Sequence, residues 1–221
     1  MADNVNLITI QEPLSPASEA YRTLRMNLQY ATLDKAFRTL LTTSPGPDEG
    51  KSTTLANLGV TMAQIERRVI MVDCDLRRPN LHQIWGLDNQ IGFTTMLLEE
   101  RYLEEPPLLE TSIENLWLLP SGQLPPRPAD LLGSQRMDQV IERLLQEADV
   151  LLFDAPPVVG VTDAVVLAAK VDAVLLVVSA GETKREDAQT ALARLNNVNA
   201  NVVGSVLNNA PLDAALSSYY G

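Results

Sequence analysis

Residues 42–54 read TTSPGPDEGKSTT. They follow an apolar run at 39–41 and lead into LANLGVTMAQI at 55–65, where apolar residues recur at helical spacing. A strand, a glycine-containing loop, then Gly50-Lys51-Ser52 opening a helix is the layout of a phosphate-binding loop. Backbone N–H groups at the new helix terminus point at the anion, and the helix dipole adds partial positive charge. Lys51 is placed to reach the β- and γ-phosphates, and the Ser52 hydroxyl to ligate Mg²⁺. Gly46, Pro47 and Gly50 shape the loop; with Asp48, Glu49, Lys51, Ser52 and Thr53 they make up the expected nucleotide-contacting stretch. Pro45 stands where the strict Gly-x-x-x-x-Gly-Lys-Ser pattern has its first glycine, and Gly46 comes one residue later. Asp48 and Glu49 bring negative charge beside the phosphates, and either side chain can turn to solvent.

Short, near-continuous apolar runs recur along the chain at 39–41, 69–72, 150–153, 173–178 and 202–207, with a further candidate at 116–119. Parallel strands buried on both faces read this way. Helical patterns fill 51–66, 130–147, 163–169 and 184–196. The alternation predicts an α/β fold: a doubly wound, mostly parallel sheet flanked by helices, with its ligand at the carboxyl ends of the strands. The whole of 1–221 reads as one domain. The proline-rich stretch LPSGQLPPRP at 119–128 reads as a surface loop over or beside the site, and 210–221 as a mobile terminus.

Composition removes several functions. Seventeen basic against 28 acidic residues give a net charge of −11, which a phosphate backbone would repel, so nucleic acid is not an expected partner. Cys74 is the single cysteine, which excludes an intrachain disulfide and fits a cytoplasmic setting. No stretch approaches the ~20 apolar residues of a membrane-spanning helix, so direct membrane insertion is not expected. His82 has no metal-ligand spacing to Cys74.

Two acidic motifs complete the phosphate loop. The second strand runs into IMVDCDLRRP, with Asp73 and Asp75 two apart, and the 150–153 run ends in LLFDAPP, with Asp154 at its tip. Phosphoryl transfer needs Mg²⁺ at the β/γ oxygens and a group that orients or deprotonates the nucleophile. Mg²⁺ keeps much of its water shell, so Ser52 with one or two carboxylates suffices. Asp154 is of the Walker B type, and Asp73 and Asp75 are candidates for metal contact and general base. Arg77 and Arg78 can stabilise phosphate or pair with carboxylates. Asn208 ends the last apolar run, where an amide can read an adenine edge.

These motifs resemble the bacterial tyrosine kinases (BY-kinases), the cytoplasmic kinase modules of exopolysaccharide and capsule synthesis. The likeness rests on SPGPDEGKSTT, on VDCDLRRP as the second Walker motif, on LLFDAPP, on SEAYRTLRMNL near the N-terminus and on the terminal SSYY. It implies a P-loop NTPase of the Min/Par-like branch that uses ATP and Mg²⁺. Catalysis is then assigned to Lys51, Asp73, Asp75 and Asp154, and metal binding to Ser52, Asp75 and Asp154. Min and Par type ATPases carry an extra lysine near the start of the loop; Pro45-Gly46-Pro47 has none, which favours the kinase branch. A Min/Par-like ATPase switch and a non-catalytic nucleotide-binding assembly module are the competing readings.

The ends of the chain take their meaning from the same resemblance. Glu19, Arg22 and Arg25 are three apart on a helix expected over 16–30, capped by Ser15 or Ser18. By themselves they read as a solvated polar face. In the family, Glu-x-x-Arg-x-x-Arg assembles rings, which makes them oligomerisation residues of a ring homo-oligomer. Tyr219 and Tyr220 correspond to the phosphoacceptor cluster presented to a neighbouring subunit. The resemblance also implies the cytoplasmic segment of a transmembrane activator as partner, placing the protein at the inner face of the cell membrane.

Overall fold

The computed structural model describes residues 5–32 and 36–211. Seven strands form one sheet: β1 (Thr39–Thr43), β2 (Val69–Asp73), β3 (Leu109–Glu110), β4 (Leu116–Leu119), β5 (Val150–Asp154), β6 (Ala173–Ser179) and β7 (Val202–Asn208). Their order across the sheet is β3-β4-β2-β5-β1-β6-β7, and every pairing is parallel except the short β3–β4 contact. All six expected strands are present, and 116–119 is one of them.

Period-2 alternation fills both faces of the sheet. Leu40, Val69, Met71, Leu152 and Leu175 pack on one side with Leu55, Leu58 and Val60 of helix α3 (Lys51–Ala63). Leu41, Ile70, Val72, Leu151, Phe153, Val174 and Leu176 pack on the other, under α8 (Gln135–Glu147), α9 (Asp163–Ala168) and α10 (Arg185–Asn196). Each such buried aliphatic side chain contributes about 1.5–3 kcal/mol, so the central strands are fixed by both layers. Helix α3 sits close to the sheet because Gly59 lacks a side chain; a Cβ there would stand 3.2 Å from Met71 Sδ.

Among the described residues two helices precede β1. Helix α1 (Ile8–Gln11) is a single turn, and α2 (Pro16–Ala31) follows with Ser15 as its N-cap, the hydroxyl accepting from the Ser18 N–H. The first of these was not expected, nor were α4 (Leu81–Trp85), α5 (Phe93–Leu98) and α6 (Arg101–Glu104). The single helix expected over 130–147 is two: α7 (Pro128–Gly133) stops at Gly133, and Ser134 caps α8 by accepting from the Met137 N–H. Glycine followed by a serine able to cap is a stop and restart signal. The proline-rich loop is also only half a surface loop: Pro120 and Ser121 are buried, while Gln123 and Leu124 are exposed.

Topology places the chemistry. From β1 the chain crosses to β2, and later β5 inserts between them, whereas β6 lies on the opposite flank of β1. The loops after β1, β2 and β5 therefore leave three adjacent strand tips at the point where the winding reverses. Register aligns Asp154 with Asp73 on one side and with Thr42 on the other.

Candidate active site

The loop between β1 and α3 is held open by two residues with positive φ, Asp48 at 59° and Gly50 at 86°. Only glycine suits the second position, because a Cβ there would also stand 2.0 Å from Asn208 Nδ2. Gly50 is the N-cap of α3, and no side chain caps that terminus. The first amides of a 13-residue helix are thus left to face an anion. The charge, the orphaned donors and the oxygen ligands next to them fit a magnesium-bound nucleoside triphosphate.

Four expected residues converge there. Lys51 Nζ lies 2.9 Å from Asp75 Oδ2 and 3.5 Å from Asp154 Oδ1. Ser52 Oγ donates to Asp154 Oδ2. Burial by itself lowers the affinity of Lys51 for its proton, but Asp154, Asp75 and Asp73 outweigh it and raise the ammonium well above its ordinary value. Burial pushes the Asp154 carboxyl up, with Lys51 and the Ser52 hydroxyl opposing. A lysine that stays charged beside two buried carboxylates is an electrostatic clamp suited to a phosphate chain, and Ser52 with Asp154 forms a pair of hard oxygen donors.

Asp73 and Asp75 separate into different roles. Asp73 is wholly buried and accepts three backbone N–H groups, from Asp75 on Oδ1 and from Asn80 and Leu81 on Oδ2. It ties the loop after β2 to the start of α4. Asp75 accepts from Arg77 N and Arg78 N through Oδ1, and its other oxygen faces Lys51. Asp75 lines the cavity over the phosphate loop, a space of about 780 Å³ bounded also by Pro47, Lys51, Ser52, Thr53, Arg78 and Leu124; Asp73 does not.

Glu49 does not turn to solvent. It is buried; Thr183 Oγ1 donates to its Oε1 at 2.8 Å, and burial raises its carboxyl. Gly46 packs against it, since a Cβ there would stand 3.2 Å from Glu49 Oε1. Asn208, expected at the adenine, donates its Nδ2 to the Glu49 carbonyl at 3.1 Å. The ends of β6 and β7 therefore clamp the phosphate loop from behind, a role for Thr183 that the sequence did not disclose. Asp48, the other acidic residue that could turn to solvent, is exposed.

A second unforeseen residue is Asp163, fully buried at the start of α9, which accepts from Arg77 Nε at 2.7 Å and from Arg77 Nη2 at 3.1 Å. Arg77 is thereby committed to a carboxylate, and Arg78 is the arginine on the phosphate side. Cys74 is inert: burial, then Asp73 and Asp154, push its thiol far up. Glu19, Arg22 and Arg25 lie away from the strand tips on α2. Arg22 pairs with Glu19 and donates to the Pro13 carbonyl, and Arg25 donates to the Thr61 carbonyl at 2.6 Å. Tyr219 and Tyr220 fall outside the described residues.

Known proteins are similar to this chain over most of its length. The AAA domain family matches residues 48–208. The tyrosine-protein kinase YwqD of Bacillus subtilis is 37 % identical over 98 % of this chain and 91 % of its own length. The tyrosine-protein kinase wzc of Salmonella typhimurium is 31 % identical over 91 % of this chain, which spans only 28 % of that longer protein. Among solved structures, the kinase domain of Escherichia coli tyrosine kinase ETK superposes with a TM-score of 0.90 at 28 % identity, covering 97 % of this chain and 84 % of that one. MinD from Pyrococcus horikoshii, at 24 % identity and a TM-score of 0.65 over 82 % of this chain and 76 % of its own, shares the fold. The chain with its phosphate loop and three strand-tip aspartates thus belongs to the bacterial tyrosine-protein kinases and is a protein-tyrosine kinase on a P-loop NTPase fold.

Proposed function

We propose that this kinase moves the γ-phosphoryl group of Mg·ATP to Tyr219 and Tyr220 of a neighbouring copy within a ring homo-oligomer. In this reading it regulates exopolysaccharide synthesis and export from the cytoplasmic side of the membrane, next to the cytoplasmic segment of a transmembrane activator. The observation that carries the chemistry is the cluster of Lys51, Asp75, Asp154 and Ser52 at the uncapped start of α3.

Each group has a task. The amides of the loop and of α3 hold the phosphates, and Lys51 offsets charge that grows on the β–γ bridge. Ser52 and Asp154 would hold Mg²⁺, which would neutralise charge on the phosphate chain. The tyrosine Oη forms a bond to the γ-phosphorus as the bond to the β-phosphate oxygen breaks. ADP leaves with that electron pair, and the phenolic proton passes to the Asp75 carboxylate. Asp73, saturated by three N–H donors, positions Asp75 rather than acting as the base. Arg22 and Arg25, with Glu19, provide the ring contact, because guanidinium groups pair bidentately with a neighbour's carboxylates.

The test mixes two chains. A Lys51→Met chain that keeps both tyrosines is combined with an active chain carrying Tyr219→Phe and Tyr220→Phe, and phosphotyrosine is followed by blot and mass spectrometry. Phosphate on the inactive chain is the expected result. An unphosphorylated tail in mixed assemblies shown to have formed overturns transfer between copies.

A further inference from the structure

Glu49 stands between the two residues of the phosphate loop with positive φ, Asp48 at 59° and Gly50 at 86°. A non-glycine residue in the left-handed region persists only where its surroundings hold it. Here the hold runs through Glu49. Its carbonyl accepts from Asn208 Nδ2 at 3.1 Å, and its carboxylate accepts from Thr183 Oγ1 at 2.8 Å, between β6 and α10. Among the described residues no other side chain donates to that carboxylate, and its second oxygen is buried without a partner. Thr183 is itself fixed, since Ser179 N donates to its Oγ1 at 2.7 Å and Thr183 N to the Ser179 carbonyl at 3.0 Å. Neighbouring loop carbonyls are engaged as well: that of Gly46 accepts from the Ser44 hydroxyl at 2.6 Å, and that of Gly50 from Thr54 N at 2.8 Å. With these carbonyls occupied, the loop N–H groups are the backbone groups left for an anion.

We infer that Glu49 and Thr183 are positioning residues for nucleotide binding: their contact keeps the phosphate loop in its anion-binding shape before Mg·ATP arrives. This role rests on the assignment of the loop to Mg·ATP made above, and the two side chains act through the loop backbone. A loop that is competent only part of the time binds its ligand more weakly in proportion to that fraction. Losing the contact therefore falls on affinity, whereas a loop already closed on ATP reacts at close to its normal rate. Burial, with Asp187 and Glu182 adding to it, raises the Glu49 carboxyl, so an uncharged amide of the same shape should also serve.

The test compares paired variants of the full chain. Thr183→Val keeps the side chain's shape and removes its hydroxyl, while Thr183→Ser keeps the hydroxyl. Calorimetry with Mg·ATP should show about tenfold weaker binding for Thr183→Val and for Glu49→Ala, the usual contribution of one such hydrogen bond. Thr183→Ser and Glu49→Gln, which preserve the contact, should stay within about threefold of wild type. Glu49→Ala combined with Thr183→Val should bind no more than about twofold more weakly than either alone, because both remove one contact. In phosphotransfer the KM for ATP should carry the loss, and kcat at saturating ATP should fall by less than about threefold. Should Glu49→Ala fail to melt cooperatively, Thr183→Val against Thr183→Ser decides. Wild-type affinity in Thr183→Val, an equal loss in Thr183→Ser, additive losses in the double variant or a loss confined to kcat overturns the role. A wild type that binds Mg·ATP and phosphorylates no tyrosine overturns the kinase reading instead, and the calorimetric comparison still decides the positioning role.

Discussion

Two regions of this molecule pair cations with carboxylates, and they do so under opposite conditions. At the strand tips Lys51, Asp75 and Asp154 have side-chain exposures of 11 %, 4 % and 0 %. On helix α2, Arg22 and Glu19 keep 26 % and 43 %. In water-poor surroundings a lost partner leaves a stranded charge, and the effects are large. On a helix surface the same contact is screened and contributes little to stability. The buried set suits the chemistry proposed above, and the exposed set leaves its charged groups in contact with water. Substitutions in the two regions should differ in what they change as much as in how far.

Lys51→Met should have the largest effect. It removes the positive charge that three aspartates hold in place, and phosphotransfer should drop by about 10³-fold or more. Phosphotyrosine formed per chain, with ATP affinity by calorimetry, checks this; unchanged autophosphorylation would remove the loop from the mechanism.

Next comes a pH test of the buried carboxylates. Burial pushes Asp154 up, and burial together with Asp154 pushes Asp73 up to about 8, against a usual value of 3.8. A raised folded-state value means the folded protein holds these protons more tightly than the unfolded chain. The contribution of Asp73 is complete below about pH 4 and is lost as pH rises through about 8, and that of Asp154 changes in the same direction. Without nucleotide or metal, the urea midpoint should therefore decline between about pH 5 and about pH 9. Asp154→Asn should flatten the decline and be more stable than wild type at the upper end, while losing phosphotransfer. An undiminished slope in this variant and in Asp73→Asn would mean other groups dominate.

Smaller again is Arg77→Ala. Arg77 is about half exposed, so the loss of its pair with buried Asp163 is discounted to roughly 1–2 kcal/mol of stability. Turnover should fall about tenfold with little change in ATP affinity, because the arginine acts by holding Asp75's loop. Arg77→Lys restores the charge but not the two-point contact, so it should recover stability more than turnover. Equal recovery of both would reduce the pair to a structural link.

Those outcomes bear on what the sequence could disclose. Val69–Asp73 and Val150–Asp154 are short apolar runs with an aspartate at the tip, a pattern that local chemistry writes plainly. Lys51 and Ser52 were legible because a helix start and a glycine leave little else for them to do. Asp163 was not, because its partner lies 86 residues away and nothing near Asp163 announces a clamp. Glu49 read as a misplaced charge for the same reason: its acceptor role toward Thr183 spans 134 residues. The α7–α8 break was legible in principle at Gly133-Ser134, but the apolar pattern on either side hid it. Helices α4 and α6 run five and four residues, too short for periodicity to show.

The smallest effect on stability, and the one that separates the two regions most directly, is expected on α2. Arg22 pairs with Glu19 at the surface and caps the Pro13 carbonyl, so Arg22→Ala should cost under about 1 kcal/mol. Arg25 is more engaged, since it donates to the Thr61 carbonyl of α3 and its Nε is buried with no partner among the described residues. That donor is held out of water without a partner among the described residues, so removing it costs little. Arg22→Ala with Arg25→Ala should therefore leave ATP affinity at the wild-type value and the melting temperature within a few degrees. Light scattering should show smaller species, and tail phosphorylation at fixed concentration should fall several-fold. If the double variant assembles like the wild type, α2 is an ordinary solvated helix and the ring must be built elsewhere. If it instead loses ATP binding, Arg25 works through α3 and the phosphate loop, and the two regions are one.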